Sequence, residues 1–108
     1  MKKPLIVLFA LLFVATSFAE TRTVTIDLST NMVCGTARKL IKKALNNIDG
    51  VIEAEVETAD KIAIVKYDDS KISLSDIENA ITKAGYDAND KKADPEAYQK
   101  LPECCKTK

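Results

Sequence analysis

The sequence predicts an α+β domain in which two helices cover one face of a four-stranded antiparallel sheet. Segments that alternate polar and apolar residues, as strands do, and segments with apolar residues three and four apart, as helices have, follow each other in the order β-α-β-β-α. A short turn separates the two middle strands, which makes them a hairpin. One more strand after the second helix would complete the sheet.

The first strand and the first helix open the domain. Residues 23–28 alternate polar and apolar, which predicts a strand with one buried face. The apolar residues that follow trace a single helical stripe. They are Ala37, Leu40, Ile41, Ala44, Leu45 and Ile48. Asn46, Asn47 and Gly50 accept left-handed backbone angles at low cost, so we expect the helix to end and the chain to turn there.

The next two strands form the predicted hairpin, with its turn at residues 59–61. In the first strand apolar residues alternate with glutamates, and the second strand is apolar almost throughout. The inward-facing residues of the first are predicted to be Ile52, Ala54 and Val56. Those of the second are predicted to be Ala63, Val65 and Tyr67. The hairpin therefore presents one apolar face to the core.

The second helix is predicted to begin at Ser73, because Ser73 and Asp76 form a capping box. Its apolar stripe is Leu74, Ile77, Ile81 and Ala84. The helix should end at Gly85, and residues 86–88 should begin the fourth strand. That strand is expected to be short or frayed, since residues 89–94 offer no alternating apolar positions. The completed order β-α-β-β-α-β is the ferredoxin-like arrangement.

Both ends of the chain are predicted to lie outside this domain. Two lysines, an apolar run over residues 5–15 and small residues up to Ala19 have the layout of a secretory signal peptide cleaved after Ala19. The run is shorter than the roughly 20 residues of a membrane span, so we expect no membrane association after cleavage. The predicted organisation is a signal peptide (1–19), a domain (20–90) and a C-terminal tail (91–108). Asp94 and Pro95 predict one or two helical turns in the tail. The expected location is periplasmic or secreted.

The composition argues against several classes of function. The chain contains no histidine, which removes the usual general base, so we do not expect an enzyme. Without the signal peptide, acidic residues slightly outnumber basic ones, which gives no reason to expect a nucleic-acid partner. The three cysteines are Cys34, Cys104 and Cys105. An exported protein can keep disulfides, and an odd count leaves at least one thiol unpaired within the chain.

Cys34 has the clearest chemical setting of the three, because it lies between the first strand and the first helix. A cysteine there meets unpaired backbone N–H groups and the positive end of the helix dipole. Both favour the thiolate, which is the form that binds metals and attacks as a nucleophile.

The sequence around this cysteine resembles the heavy-metal-associated domain, known from copper chaperones, metal-pumping ATPases and the periplasmic mercury-binding protein. The resemblance covers residues 22–89 and is carried by Met32, Cys34 and the Ala-Gly-Tyr-Asp-Ala segment at 84–88. It implies a Met-x-Cys-x-x-Cys motif whose two thiolates hold copper(I) or mercury(II). It also implies that Met32 packs as a core anchor. This chain has Ala37 where the family has the second cysteine.

The tail cysteines offer a replacement for the missing ligand. About 14 residues separate Asp90 from Cys104, and these could extend about 45 Å. The turn after the second helix is expected at the same end of the domain as the Cys34 loop. The predicted metal site therefore consists of Cys34, Cys104 and Cys105, with copper(I) ahead of mercury(II) and zinc. A disulfide that involves these cysteines is an open alternative.

The predicted function is soft-metal binding or transfer through cysteine thiolates. One alternative is a thiol-redox protein, in which Cys34 attacks and a tail cysteine resolves. Another is a degenerate interaction module without a metal, which Ala37 favours. A basic face of the first helix predicts docking of an acidic-surfaced protein partner, or is simply a solvated surface. Its residues are Arg38, Lys39, Lys42 and Lys43. Tyr86 either shields the metal loop or packs in the core.

Overall fold

The computed structural model describes residues 20–31, 33–103 and 106. Its elements are β1 (Thr21–Asp27), α1 (Gly35–Asn46), β2 (Val51–Glu57), β3 (Ile62–Asp68), α2 (Leu74–Lys83) and α3 (Pro95–Gln99). Their order confirms the predicted β-α-β-β-α succession, and α3 is the short helix predicted in the tail. Within these residues no helix has the length and apolar character needed to span a membrane. The predicted signal peptide lies outside them.

The three strands form one antiparallel sheet in the order β1-β3-β2, so the second strand of the hairpin is central. Val65 of β3 lies opposite Val24 on one side and opposite Ala54 on the other. The three residues of β3 predicted to face the core are all buried, which confirms the choice of that face. They are Ala63, Val65 and Tyr67.

The helices bury most of the apolar stripes that their sequences predict, but Leu74 at the start of α2 is 39% exposed. In α1 the fully buried residues are Ala37, Ile41 and Leu45, and in α2 they are Ile77 and Ile81. Full burial of an isoleucine or leucine side chain stabilises the fold by about 1.5–3 kcal/mol. Tyr86 is only 1% exposed and belongs to the same core, so it packs there. The predicted capping box of α2 is present at Ser73 and Asp76.

Ile52 departs from the predicted hairpin pattern. It is 55% exposed, whereas Ala54 and Val56 are buried. The pairing of β2 with β3 shifts register between Val51 and Glu53, which is the mark of a β-bulge. One extra residue reverses the alternation, so Val51 packs against the core in place of Ile52. The prediction that Ile52 faces the core is therefore wrong.

The predicted fourth strand is absent from the residues that the structure describes. After α2 the chain makes a single bridge between Ala88 and Lys91, around a turn in which Asn89 has a φ of 53°. Asn89 meets β1 only at its end: its N–H donates to the Asp27 carbonyl (2.9 Å), and its side-chain oxygen accepts from the Asp27 N–H (2.8 Å). A left-handed residue does not continue an extended strand. The four-stranded prediction is wrong, and the described sheet has three strands.

The first part of the tail packs against the end of α2. Gly85 has a φ of 104°, and a Cβ at that position would lie 3.1 Å from the Ala97 carbonyl oxygen and 3.1 Å from Leu101 Cγ. Leu101 is buried, and the Asp94 N–H donates to the Thr82 carbonyl at 3.0 Å. The chain as far as Leu101 is thus a packed part of the domain.

Candidate metal-binding site

Cys34 is the N-cap residue of α1. Its backbone is extended, with φ −92° and ψ −178°, and its Sγ accepts the Ala37 N–H at 3.5 Å. Its carbonyl accepts the Arg38 N–H at 2.9 Å, which is the first hydrogen bond of the helix. The first turn of α1 contains no acidic residue, so no carboxylate offsets the positive end of the helix dipole. This position favours negative charge on the sulfur, as the sequence predicted.

The surface beside Cys34 is open on one side and anchored on the other. A Cβ placed at Gly35 would meet no heavy atom of the described residues within 4 Å, and Gly35 and Thr36 are exposed. Val33, on the opposite side, is buried in the core. The predicted core anchor Met32 lies outside the described residues. Cys34 itself is half-buried, packed against the core below and reachable from solvent above.

Ala37 occupies the first turn of α1, at the position of the missing second thiolate. Its N–H lies 3.5 Å from Cys34 Sγ, so its Cβ, two bonds further on, is within about 6.5 Å of that sulfur. Two ligand sulfurs on one ion lie up to about 4.6 Å apart, because metal–thiolate bonds are about 2.3 Å long, and a side-chain sulfur at residue 37 could approach Cys34 Sγ to about that separation. The Ala37 side chain is fully buried and supplies no donor.

The loop that leads to Cys34 leaves β1 through a turn closed by Asp27. The Ser29 N–H donates to the Asp27 carboxylate at 2.9 Å, and the Asn31 N–H donates to the Leu28 carbonyl at 3.0 Å. Hydrogen bonds from the Ser29 side chain and backbone hold the pKa of Asp27 below its ordinary value. The turn fixes the direction in which the chain leaves the sheet.

Asn31 ties this loop to the segment after α2. Its side-chain nitrogen donates to the carbonyls of Leu28 (3.1 Å) and Asp87 (2.9 Å), and its side-chain oxygen accepts the Asp87 N–H (2.8 Å). Both residues are 6% exposed. The Cys34 loop and the turn after α2 therefore meet at one end of the domain, as the topology predicted.

The carboxylate of Asp87 extends the same network in two directions. One oxygen accepts the Thr30 hydroxyl at 2.8 Å, and the other accepts the Ala93 N–H at 2.8 Å. Sequence reasoning placed Asp87 in the family's 84–88 segment but gave neither Asp87 nor Thr30 a hydrogen-bonding role. The signal that could have found them is a carboxylate placed directly after the buried Tyr86, because a buried charge requires hydrogen-bond donors nearby.

The basic face of α1 is partly engaged within the domain. The Arg38 Nε–H donates to the Val56 carbonyl at 3.1 Å, and its guanidinium lies 3.9 Å from a Glu55 carboxylate oxygen. Lys42 Nζ lies 3.3 Å from the other oxygen of Glu55. Two of the four basic side chains thus contact β2. Lys39 and Lys43 are exposed.

The other two predicted ligands, Cys104 and Cys105, lie outside the described residues. Among the residues that are described, no group of three or more Cys, His, Asp or Glu side chains is placed to hold a metal ion. Cys34 is therefore the one predicted ligand that the structure positions.

These features define the class of the protein. Residues 28–87, more than half of the chain, match the model of the heavy-metal-associated domain. The chain belongs to the heavy-metal-associated domain family, which confirms the resemblance drawn from the sequence.

Similar proteins are found among copper chaperones and mercury-binding proteins. The copper chaperone CopZ of Staphylococcus aureus (strain bovine RF122 / ET3-1) is 46% identical over 56 residues, which make up 52% of this chain and 82% of the chaperone. Oxidized MerP from Ralstonia metallidurans CH34 is 31% identical, with a TM-score of 0.61 over 65% of this chain and 96% of MerP. Mercury-bound MerP, the periplasmic protein of the bacterial mercury detoxification system, is 33% identical, with a TM-score of 0.57 over 65% of this chain and 96% of its own.

Proposed function

We propose that this protein binds a soft metal ion through the Cys34 thiolate and transfers it to another protein, with copper(I) ahead of mercury(II) and zinc. The observation that carries the proposal is the position of Cys34 at the N-cap of α1 in a heavy-metal-associated domain, beside open space at Gly35. Soft ions prefer thiolate ligands, and the chain has no histidine to offer instead. Copper leads because a copper chaperone is among its similar proteins.

A second and a third thiolate are proposed to come from Cys104 and Cys105. One thiolate holds copper(I) weakly against competing thiols, and Ala37 supplies none. The packed part of the tail supports this assignment. Leu101 packs against Gly85, and Asp87, two residues beyond Gly85, is hydrogen bonded to the loop before Cys34. Leu101 is three residues from Cys104, a span of at most about 11 Å.

Transfer is proposed to proceed by ligand exchange. An acceptor thiolate approaches the ion from the open side of Cys34, forms a bond and displaces one of the donor's thiolates. The step requires no general base and no change in oxidation state. The exposed ammonium groups of Lys39 and Lys43, together with the half-buried Arg38 and Lys42 next to them, are proposed to attract an acidic-surfaced partner.

The location is proposed to be periplasmic or secreted, with a mature chain that begins at Glu20. This rests on the signal-like layout of residues 1–19. In that compartment the cysteines are exposed to oxidation, so the metal-binding form is the reduced one. The intact mass of protein from a periplasmic fraction tests the cleavage site, and full-length protein found only in membranes would contradict it.

The test of the metal site is a copper(I) titration of the reduced mature protein against a competing chelator. Wild type is compared with Cys34→Ser and with Cys104→Ser/Cys105→Ser, and the copper absorption edge counts the bound sulfurs. We expect both variants to lose affinity and the wild type to show two or three sulfurs. Unchanged affinity after removal of the tail cysteines would refute the shared site, and no copper binding by the wild type would refute the proposed function.

A second candidate function is an interaction module that binds no metal. The full burial of Ala37, which gives the first turn of α1 an apolar side chain in place of a ligand, favours it. The same titration separates the two candidates. An interaction module would bind no copper(I) under reducing conditions. The Ala37→Cys variant is the positive control, because it should bind copper(I) under the same conditions.

A further inference from the structure

The buried carboxylate of Asp87 joins two segments that are far apart in the sequence. One oxygen accepts the hydroxyl of Thr30, four residues before Cys34, and the other accepts the N–H of Ala93, where the tail begins to pack on α2. Asp87 is 6% exposed, so water competes weakly for these bonds. Hydrogen bonds to a buried charged group are among the stronger ones in proteins, typically about 1.5–3 kcal/mol.

The backbone of Asp87 reinforces the connection on the loop side. Its N–H and its carbonyl both bond to the Asn31 side chain, at 2.8 and 2.9 Å. With the Thr30 hydroxyl, the loop holds Asp87 through three hydrogen bonds. A carboxylate whose position is fixed in this way presents its second oxygen to Ala93 in a single orientation.

The tail beyond Ala93 is ordered by its contacts with the rest of the domain, and Tyr98 packs against the core. The helix α3 has only five residues, too few to be stable by itself. It is held by packing of Leu101 against Gly85, by the Asp94 N–H bond to Thr82, and by the bond of Ala93 to Asp87. Loss of any one of these contacts should loosen the others, because they order one short segment.

We propose that Asp87 is a positioning residue that couples the loop before Cys34 to the docking of the tail on α2. When Thr30 donates to the Asp87 carboxylate, that carboxylate is positioned to accept the Ala93 N–H of the docked tail. When Ala93 donates to it, the carboxylate is positioned to accept the Thr30 hydroxyl of the loop. The consequence for metal binding rests on the proposed function: an ion at Cys34 that fixes the loop would also favour the docked tail, and tail docking would favour the ion by the same factor.

The experiment changes a residue of the loop before Cys34 and measures the amide exchange rate in the tail, and then does the reverse. Amide hydrogen exchange is measured by NMR on the reduced, metal-free mature chain that carries Cys104→Ser/Cys105→Ser, which prevents disulfides. On this background Thr30→Val removes the hydroxyl, and Thr30→Ser is the matched control that keeps it. Residue 30 is exposed, so neither change disturbs the core. Amides of the central strand β3 report global unfolding in every variant.

We expect Thr30→Val to speed the exchange of the Ala93 amide about tenfold, with no change in the β3 amides, and Thr30→Ser to leave it within about twofold of the parent. In the reverse direction, Leu101→Ala should speed the exchange of the Asn31 amide. An Ala93 rate equally unaffected by valine and serine would overturn the proposal, since Asp87 would then hold the two segments independently.

Substitution of Asp87 itself compares a side chain that can keep both hydrogen bonds with one that loses them. Asn at residue 87 can accept the Ala93 N–H through its oxygen and donate to the Thr30 hydroxyl oxygen through its nitrogen, so Asp87→Asn should keep slow exchange at Ala93. Asp87→Ala loses both bonds and should show fast exchange. Fast exchange in the asparagine variant alongside intact β3 protection would also overturn the proposal. None of these readouts requires a metal, so they stand or fall separately from copper binding.

Discussion

Gly85 makes a strong prediction about stability, because its backbone and its surroundings both exclude a side chain. Its φ of 104° lies in a region that L-residues with a Cβ rarely adopt, and a Cβ there would lie 3.1 Å from both the Ala97 carbonyl oxygen and Leu101 Cγ. The positive φ alone costs about 1–2 kcal/mol in a non-glycine residue. Displacement of Leu101 from its buried position adds up to about 1.5–3 kcal/mol.

We therefore expect Gly85→Ala to lower the free energy of unfolding by up to about 2.5–5 kcal/mol, of which the larger part comes from loss of tail packing. The matched control is Gly35→Ala, since a Cβ at Gly35 meets no heavy atom within 4 Å among residues 20–31, 33–103 and 106, and its φ is not positive. In the first turn of α1 alanine is favoured over glycine, so the control should be neutral or stabilising by up to about 1 kcal/mol.

The assay is urea unfolding of the reduced mature protein followed by circular dichroism, with the amide NMR signals of residues 93–101 as a local reporter of the tail. The prediction requires a lower midpoint for Gly85→Ala, together with loss of the native tail signals before the main transition. If the two glycine variants unfold at the same midpoint, the close packing of the tail against residue 85 is wrong. A lower midpoint with no early change in the tail would assign the whole loss to backbone strain.

Three further predictions concern the metal loop, a helix cap and acid. Ala37→Cys should raise copper(I) affinity on the order of 100-fold over the parent, because the thiolates of residues 34 and 37 would then bind the same ion. The measurement is a competition with a chelator, and equal affinity of parent and variant would refute the loop geometry. Ser73→Ala should lower the free energy of unfolding by about 1 kcal/mol through loss of the α2 cap, whereas Ser73→Thr, which keeps a capping oxygen, should cost less in the same urea experiment. Hydrogen bonds from the Ser70 hydroxyl and N–H hold the pKa of Asp68 below its ordinary value of 3.8, so its contribution to stability is complete above about pH 4 and disappears as the pH falls through the folded-state pKa. The stability difference between wild type and Asp68→Asn should accordingly shrink in acid, and a pH-independent difference would show that Asp68 acts without its charge.

The bulge in β2 and the end of the sheet are the two places where the sequence pattern predicted the fold incorrectly. Pattern reading predicted the inward face of β3 correctly, because the extra residue of the bulge lies in β2 and leaves β3 itself regular. It failed at Ile52, since a bulge adds one residue without any change in local composition. It also overextended the sheet past Ala88, where the left-handed Asn89 turns the chain away from β1.

By itself, the sequence determined the family, the order of the elements, the capping box of α2 and the position of Cys34 before α1, since each is encoded in a short run of residues. Only the tertiary structure decided that Asp87 joins Thr30 to Ala93 and that Leu101 packs against Gly85. These contacts link residues that are distant along the chain. Their energies depend on which groups become buried together, and no local pattern of polarity or spacing records that outcome.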